Sequence, residues 1–522
     1  MFDKWFKLPA HLYLRLTALT ILTVGITLSN VLMSIGAIWI ISNWIIEADY
    51  KNSWERIKQN KSVWFVLFIF FLGMLSLFWS ENLAYGVKDL RVKLPFLVIP
   101  FVMAASKPLP RHFFHFLLFV FLGMVAFTSA YNYLHFYSGG SELKDIREMS
   151  LFISHVRFST LTVLAIFIAF YCFLNRIGFR WMMLILIPWF LYYLYLSQVI
   201  NGYLLLVIIS LFSLFYGLKR IPQANYRRWA IMGLIALLTT GGIVSFKFLS
   251  SFVDTEEQGA DELAEYTPNG NPYVHDTSNK FMENGHLVWI NVSQKELRSE
   301  WNKRSNMAYD SLDRKEQPLS GTLMRYITSK GLRKDSIAVW SLTESEIQDI
   351  ENGVCSAVAS SGLKARVQSF LHEYQMYQSG GDPNGHSLLQ RMEHIKTAIY
   401  ILKEKWLLGT GVGDLSAAFD QAYLDTNSKL IEENRWHSHN QYLSLWISHG
   451  ILGLLAFIIM ILYPLFEKKA DYFTWIVTIA LFASCLFQDV LETQAGVTIF
   501  ALFYALSAYR ESQNSSAQSK EV

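Results

Sequence analysis

Residues 440–465 read NQYLSLWISHGILGLLAFIIMILYPL, a run without a lysine, arginine, aspartate or glutamate. A helix rising about 1.5 Å per residue over that length crosses the roughly 30 Å of hydrocarbon in a bilayer. Working outward, comparable apolar runs occupy 12–28, 30–47, 62–79, 94–109, 112–131, 152–174, 181–197, 200–218 and 228–250 before it, and 471–488 and 493–510 after it, twelve in all. The 522 residues are 52% hydrophobic, 15% aromatic and only 17% charged, against about 25% charge in soluble domains. A charge at the bilayer centre costs roughly 2.5 kcal/mol or more, so the deficit is what an embedded chain requires. The expected fold is an all-α polytopic membrane protein with a large, mostly helical insert between the ninth and tenth spans. Residues 12–47, broken only at Ser29-Asn30, read equally as one span or two, and 94–109 is short, ending near Pro108 and Pro110.

Lysine and arginine near span ends stay cytoplasmic. Lys4 and Lys7, the group Lys51, Arg56, Lys58 and Lys61, then Lys107 and Arg111, Arg176 and Arg180, Lys219 to Arg228, Lys468 and Lys469, and Arg510 all fall on one side under a twelve-span count. Both termini are then inside. Only the 80–93 loop dissents, with Lys88, Arg91 and Lys93 on the outer side, a placement that suits an anionic ligand. The expected organisation is a bundle over 1–250, an extracytoplasmic domain over 251–439, further spans over 440–510 and a cytoplasmic tail over 511–522. The first sixteen residues lead straight into apolar sequence without a small-residue cleavage site, so no cleaved signal is expected.

The insert is polar yet patterned. HLVWINV at 286–292 reads as strand, Ser341-Leu-Thr-Glu-Ser-Glu as a helix start, and RMEHIKTAIYILKEKW at 391–406 as an amphipathic helix with Met392, Ile395, Ala398, Ile399 and Leu402 on one face. A formal net charge of +3 offers no basic surface for nucleic acid. Cys172 and Cys485 lie in apolar runs and Cys355 stands alone, so neither a disulfide framework nor thiol chemistry is expected.

Ionisable groups at span ends are functional candidates by default, which singles out Arg157 at the outer end of the sixth run. The bland alternative for it is snorkelling to the interface. His439 precedes the tenth run at the level where water meets headgroups, and an imidazole there can move a proton near neutral pH. His437 is the second candidate, with Asn440 placed to orient the imidazole or a sugar hydroxyl. Gly409, Gly411 and Gly413 follow a helix and lack a Walker lysine, so they read as a tight turn and not as a nucleotide cradle. Glu393, Asp414, Glu432 and Glu433 have no metal-ligand spacing, and neither a metal nor a cofactor is expected.

Taken together, Arg391-Met-Glu-His394, Trp406-Leu-Leu-Gly409-Thr-Gly411-Val-Gly413, Trp436-His437-Ser-His439-Asn440 and His449-Gly450-Ile-Leu-Gly453 resemble the C-terminal signature of the O-antigen ligase and O-antigen polymerase superfamily. The resemblance is close over 391–456 and looser over the whole chain. It implies a membrane glycosyltransferase that needs no metal and works by inversion. The donor would be an undecaprenyl-diphosphate-linked glycan, the acceptor a lipid or glycan, and the location the periplasmic face of a bacterial inner membrane. Arg391 would bind the diphosphate through planar paired hydrogen bonds, with His439 as the base and His437, Asn440, Gly411 and Gly413 in support. The superfamily's Ser-Arg-Gly step is matched here by Ser197 to Gly202 without an arginine, and Arg157 or the basic loop with Lys88, Arg91 and Lys93 would compensate, Arg157, Lys88 and Arg91 as diphosphate ligands. The long insert favours a ligase over a repeat-unit polymerase or a protein O-oligosaccharyltransferase. A transporter or flippase would show inverted repeats and mid-membrane charges, and neither is visible.

Overall fold

The computed structural model describes residues 9–138, 149–220, 222–229, 231–233, 239–240, 242, 263–279, 281–284, 286–314, 317–357, 377, 382–384, 387–466 and 470–511. They form two compact units, one of residues 1–222 with 390–522 and one of residues 223–389. Residues 390–439, grouped with the insert on sequence, cluster with the apolar helices.

The first unit contains α1 (Pro9–Leu28), α2 (Asn30–Glu47), α3 (Tyr50–Gln59), α4 (Lys61–Ser76), α5 (Leu83–Val92), α6 (Leu94–Ala105), α7 (Arg111–Ser138), α8 (His155–Leu174), α9 (Met183–Ser197) and α10 (Ile200–Lys219). Eleven of the twelve apolar runs are helical, while 228–250 falls largely outside the described residues. Among the described residues seven helices are long and apolar enough to cross a membrane, or eight if α3 and α4, bent by 96°, make one span. The length of 62–79 is not reached, because α4 ends at Ser76, and α6 stops at Ala105 before Pro108 and Pro110. Pro108 and Pro110, lacking an N–H and disfavouring helical backbone at the residue before each, keep the helix from resuming.

The ambiguous stretch 12–47 folds back on itself. Ser29 accepts a hydrogen bond from the Val31 N–H and starts α2, and a Cβ on Gly25 would lie 2.8 Å from the Met33 nitrogen. Further along, Gly36 meets Leu22, and His11 Nδ1 lies 2.9 Å from Asn43 Oδ1. Small residues thus bring two antiparallel backbones into contact, as in membrane helix pairs generally.

The insert unit packs α11 (Gln294–Arg304), α12 (Leu319–Ser329), α13 (Ser336–Ser341) and α14 (Glu344–Glu351) around Leu297, Trp301, Leu323, Ile327, Val339 and Ile350. The expected helix start holds, with Thr343 as the N-cap and Glu346 completing a capping box. The expected strand over 286–292 shrinks to His286–Leu287 (β2) paired with Met282–Glu283 (β1). Beyond Leu287 the chain instead makes single bridges from Val292 to Val274 and Lys334.

After the insert come α15 (Ser387–Lys405), α16 (Leu415–Asp425), α17 (Gln441–Phe466), α18 (Tyr472–Phe487) and α19 (Gln494–Ala508). Nearly every residue of α19 is buried, which is what an apolar helix without a polar face requires. It packs on α6, α18 and α17. One end of this bundle gathers cations. Arg56 and Asn60 donate to the Ala105 and Ala104 carbonyls, Arg15 donates to Lys107 O, and Arg510 pairs with Asp471. Arg56 and Asn60 thereby satisfy carbonyls that the end of α6 leaves open. The candidate site lies at the other end.

Candidate functional site

At that other end the glycine turn comes first, because it holds everything else. α17 is broken at Gly450, where φ is +68°. The gap admits the α15–α16 connection: Ile451 N–H donates to Trp406 O and Thr410 N–H to Ile447 O at 2.7 Å. A Cβ on Gly450 would sit 2.1 Å from Leu407 O, and one on Gly409 2.5 Å from Ile447 O. Only glycine fits such a backbone crossing. Beyond it, Gly411 (φ +90°) and Gly413 press on the end of α4, where Val412 N–H donates to Ser76 Oγ and Gly413 N–H to Ser80 Oγ. Asp414 then accepts from the Glu81 and Asn82 N–H groups. The turn therefore locks α4, α15 and α17 together.

Arg391 and His394 lie one turn apart on α15. The buried face of this helix is Glu393, His394, Thr397, Ala398, Ile401 and Leu402, while Ile395 and Ile399 are exposed. That corrects the expected stripe: polar Glu393 and His394 face inward because the following segment satisfies them. Ser428 donates to Glu393, His394 Nε2 lies 2.9 Å from Asn434 O, and Tyr423 donates to Trp436 O. Phe419 packs against His437, with ring centres 5.2 Å apart. The 426–440 segment is thereby laid along α15, bringing the His439 ring to 5.3 Å from that of His394.

His439 takes φ +50°, unusual for a side-chain-bearing residue. Its Nδ1 lies 3.8 Å from Asp489 Oδ2, too far for a hydrogen bond but close enough for an ion pair once the ring is protonated. Asp489, in the short link between α18 and α19, also accepts from Ser444 Oγ at 2.7 Å. Asn440 does not reach the imidazole. Its Oδ1 caps α17 by accepting from the Tyr442 and Leu443 N–H groups, and its amide donates to Leu486 O. It supports the backbone that carries His439.

Burial, then the neighbouring His394, Arg391 and His437, hold the His439 imidazole below its usual range, to about 4. The ring is therefore neutral near pH 7 and able to accept a proton. Burial and then Glu492 raise the Asp489 carboxyl. Arg391 is half-buried, forms no hydrogen bond or ion pair among the described residues, and lies within electrostatic reach of Asp489. An uncommitted guanidinium beside a neutral histidine, with a carboxylate behind it, is equipped to bind an anion and withdraw a proton.

The other proposed phosphate ligands are not joined to this group. Lys88 and Arg91 are exposed on α5. Arg157 lies on the first turn of α8, where Ser159 packs against Gly202 at the start of α10. Asp489 and Glu492 are parts of the site that sequence reasoning passed over, and Lys93, expected to face an anionic ligand, is instead paired with Asp89 and Glu492. The available signal was QDVLET at 488–493, two carboxylates in a short break between apolar runs.

Residues 339–458 match the family model described as O-antigen ligase. No curated protein matches the chain.

Proposed function

Starting from an O-antigen ligase segment over residues 339–458, we propose that the protein transfers a polysaccharide from undecaprenyl diphosphate to an acceptor such as lipid A-core, at the periplasmic face of a bacterial inner membrane. The observation that carries this reading is the meeting of Arg391, His439 and Asp489 at the end of the bundle opposite its cationic end. In the proposed reaction Arg391 binds the diphosphate. An acceptor hydroxyl attacks the anomeric carbon, and His439 takes the hydroxyl proton as the new C–O bond forms. The bond to the diphosphate oxygen breaks, and undecaprenyl diphosphate leaves with its charge stabilised by the guanidinium. Asp489 stabilises the imidazolium produced. Arg157, Lys88 and Arg91 are assigned to an outer rim that meets the donor, and no metal takes part.

The same reading sets both termini in the cytoplasm and twelve spans across the membrane. The basic loops support it, and in the dissenting 80–93 loop one of the three cations is accounted for. Lys93 is paired with Asp89 and Glu492, so it is not a free topology-setting charge. A gene deletion tests the reaction. Loss of long surface glycan with accumulation of lipid-linked chains fits the ligase. Core carrying one repeat unit assigns a polymerase, a deficit on glycoproteins a protein O-oligosaccharyltransferase, and unchanged glycan refutes the transferase.

A further inference from the structure

Below His439 lies a set of buried charges that the proposed transfer does not use. Lys93, between α5 and α6, is 6% exposed. Its ammonium is 2.7 Å from Asp89 and 3.4 Å from Glu492. Glu492 also accepts from Gln441 Nε2, and Gln441 Oε1 accepts from the Leu491 N–H at 2.6 Å. Gln441 is fully buried and opens α17, two residues after His439. Glu492 stands three residues after Asp489 in the same link. Gln441 therefore ties the link that carries Asp489 to the start of α17, just after His439, and Lys93, remote in sequence, pairs with Glu492 of the same link.

Buried ion pairs are poor stabilisers, since apolar side chains of similar volume commonly hold a fold as well or better. A lysine and two carboxylates at this depth call for an electrostatic role. We infer that Lys93 and Glu492 are positioning residues for the transfer: Lys93 keeps Glu492 ionised against the α18–α19 link, and that carboxylate sets the placement and charge of Asp489 beneath His439. This rests on the transferase reading given above. Nearby like charges raise each other's affinity for protons, and Glu492 acts on Asp489 in this sense. Burial opposes ionisation of Glu492 itself, but Lys93 and then His437 hold it below the ordinary carboxylate range. The groups facing this cluster are Tyr85 and Asp89 from α5, Ser444 and His449 from α17, His437 and His439 from the segment before it, Cys485 from α18, and Arg391 from α15.

The test uses the full-length protein in proteoliposomes with a synthetic polyprenyl-diphosphate oligosaccharide as donor and a core glycolipid as acceptor. Transfer kcat/KM is measured against pH. Glu492→Gln removes the charge that raises Asp489, so its acid limb moves to lower pH, by about one unit. Lys93→Met moves the limb the same way, because Glu492 takes up a proton without its partner, and Lys93→Arg restores the wild-type profile. Should Lys93→Met fail to fold by size-exclusion and thermal melting, the double variant Lys93→Met/Glu492→Gln removes the pair together and carries the same expectation. An acid limb unmoved in Glu492→Gln overturns the inference. So does loss of transfer at every pH in a folded Glu492→Gln, which makes Glu492 a direct participant. Near-normal transfer by His439→Ala and Asp489→Asn overturns instead the site on which the inference rests, and absence of transfer by the wild-type protein overturns the transferase reading.

Discussion

His439 enters the left-handed region at a cost of order 1 kcal/mol, a strain that a positioned functional residue can justify. Its ring acts as the base only if acceptor and diphosphate meet beside it, so His439→Ala and Arg391→Ala should each lower transfer by roughly 100-fold or more at unchanged protein level. In vitro transfer, or a gel of surface glycan, reads this directly. Arg391→Lys should recover only part of the loss, since an ammonium cannot form the planar pair of bonds. The imidazole also sets a pH dependence of stability. Its folded-state value of about 4 lies below the ordinary value of about 6.5. The unfolded chain therefore binds the extra proton between them, and stability present above pH 6.5 is lost as pH falls toward 4. His439→Gln should flatten thermal melts across that window. Arg391 and His439 were legible because each belongs to a local motif. Asp489 and Glu492 were not: a search for charges within spans passes over acids in the short links between them.

At the scale of elements, the decisive feature is the break in α17. Its long apolar run reads as one unbroken span, and no count of hydropathy reveals that Gly450 opens it to receive Trp406 to Thr410. Gly450→Ala meets both a carbonyl at 2.1 Å and a disfavoured φ, so it should destabilise the protein by about 2 kcal/mol or more, seen as a lower melting temperature and poorer yield in detergent. Gly411→Ala should act in the same direction, through Ser80 and φ +90°. The exposed Ile395 and Ile399 on α15 teach a related lesson. An apolar stripe in a membrane protein need not face the protein core, whereas a buried polar stripe must be satisfied, as Glu393 and His394 are.

For the whole molecule, sidedness is the claim most open to direct test. Ser299→Cys, exposed on α11, in a Cys355→Ser background should react with a membrane-impermeant thiol reagent once the outer barrier is opened. Cys172 and Cys485 are buried and should stay silent. Labelling only after inner-membrane lysis reverses the orientation. What the sequence by itself determined is the class of molecule and most of its helices, because the cost of placing charge in hydrocarbon writes spans into composition. It also marked the glycine turn, and Arg391 and His439 as candidates, because each sits in a short motif of its own. Only the tertiary structure decided that 12–47 turns back as a hairpin and that α15 joins the bundle. It alone brought Lys93, Asp489 and Glu492 under His439. The last of these depends on a pairing, Lys93 with Glu492, between residues hundreds of positions apart, and local periodicity carries no information about which helix ends will meet.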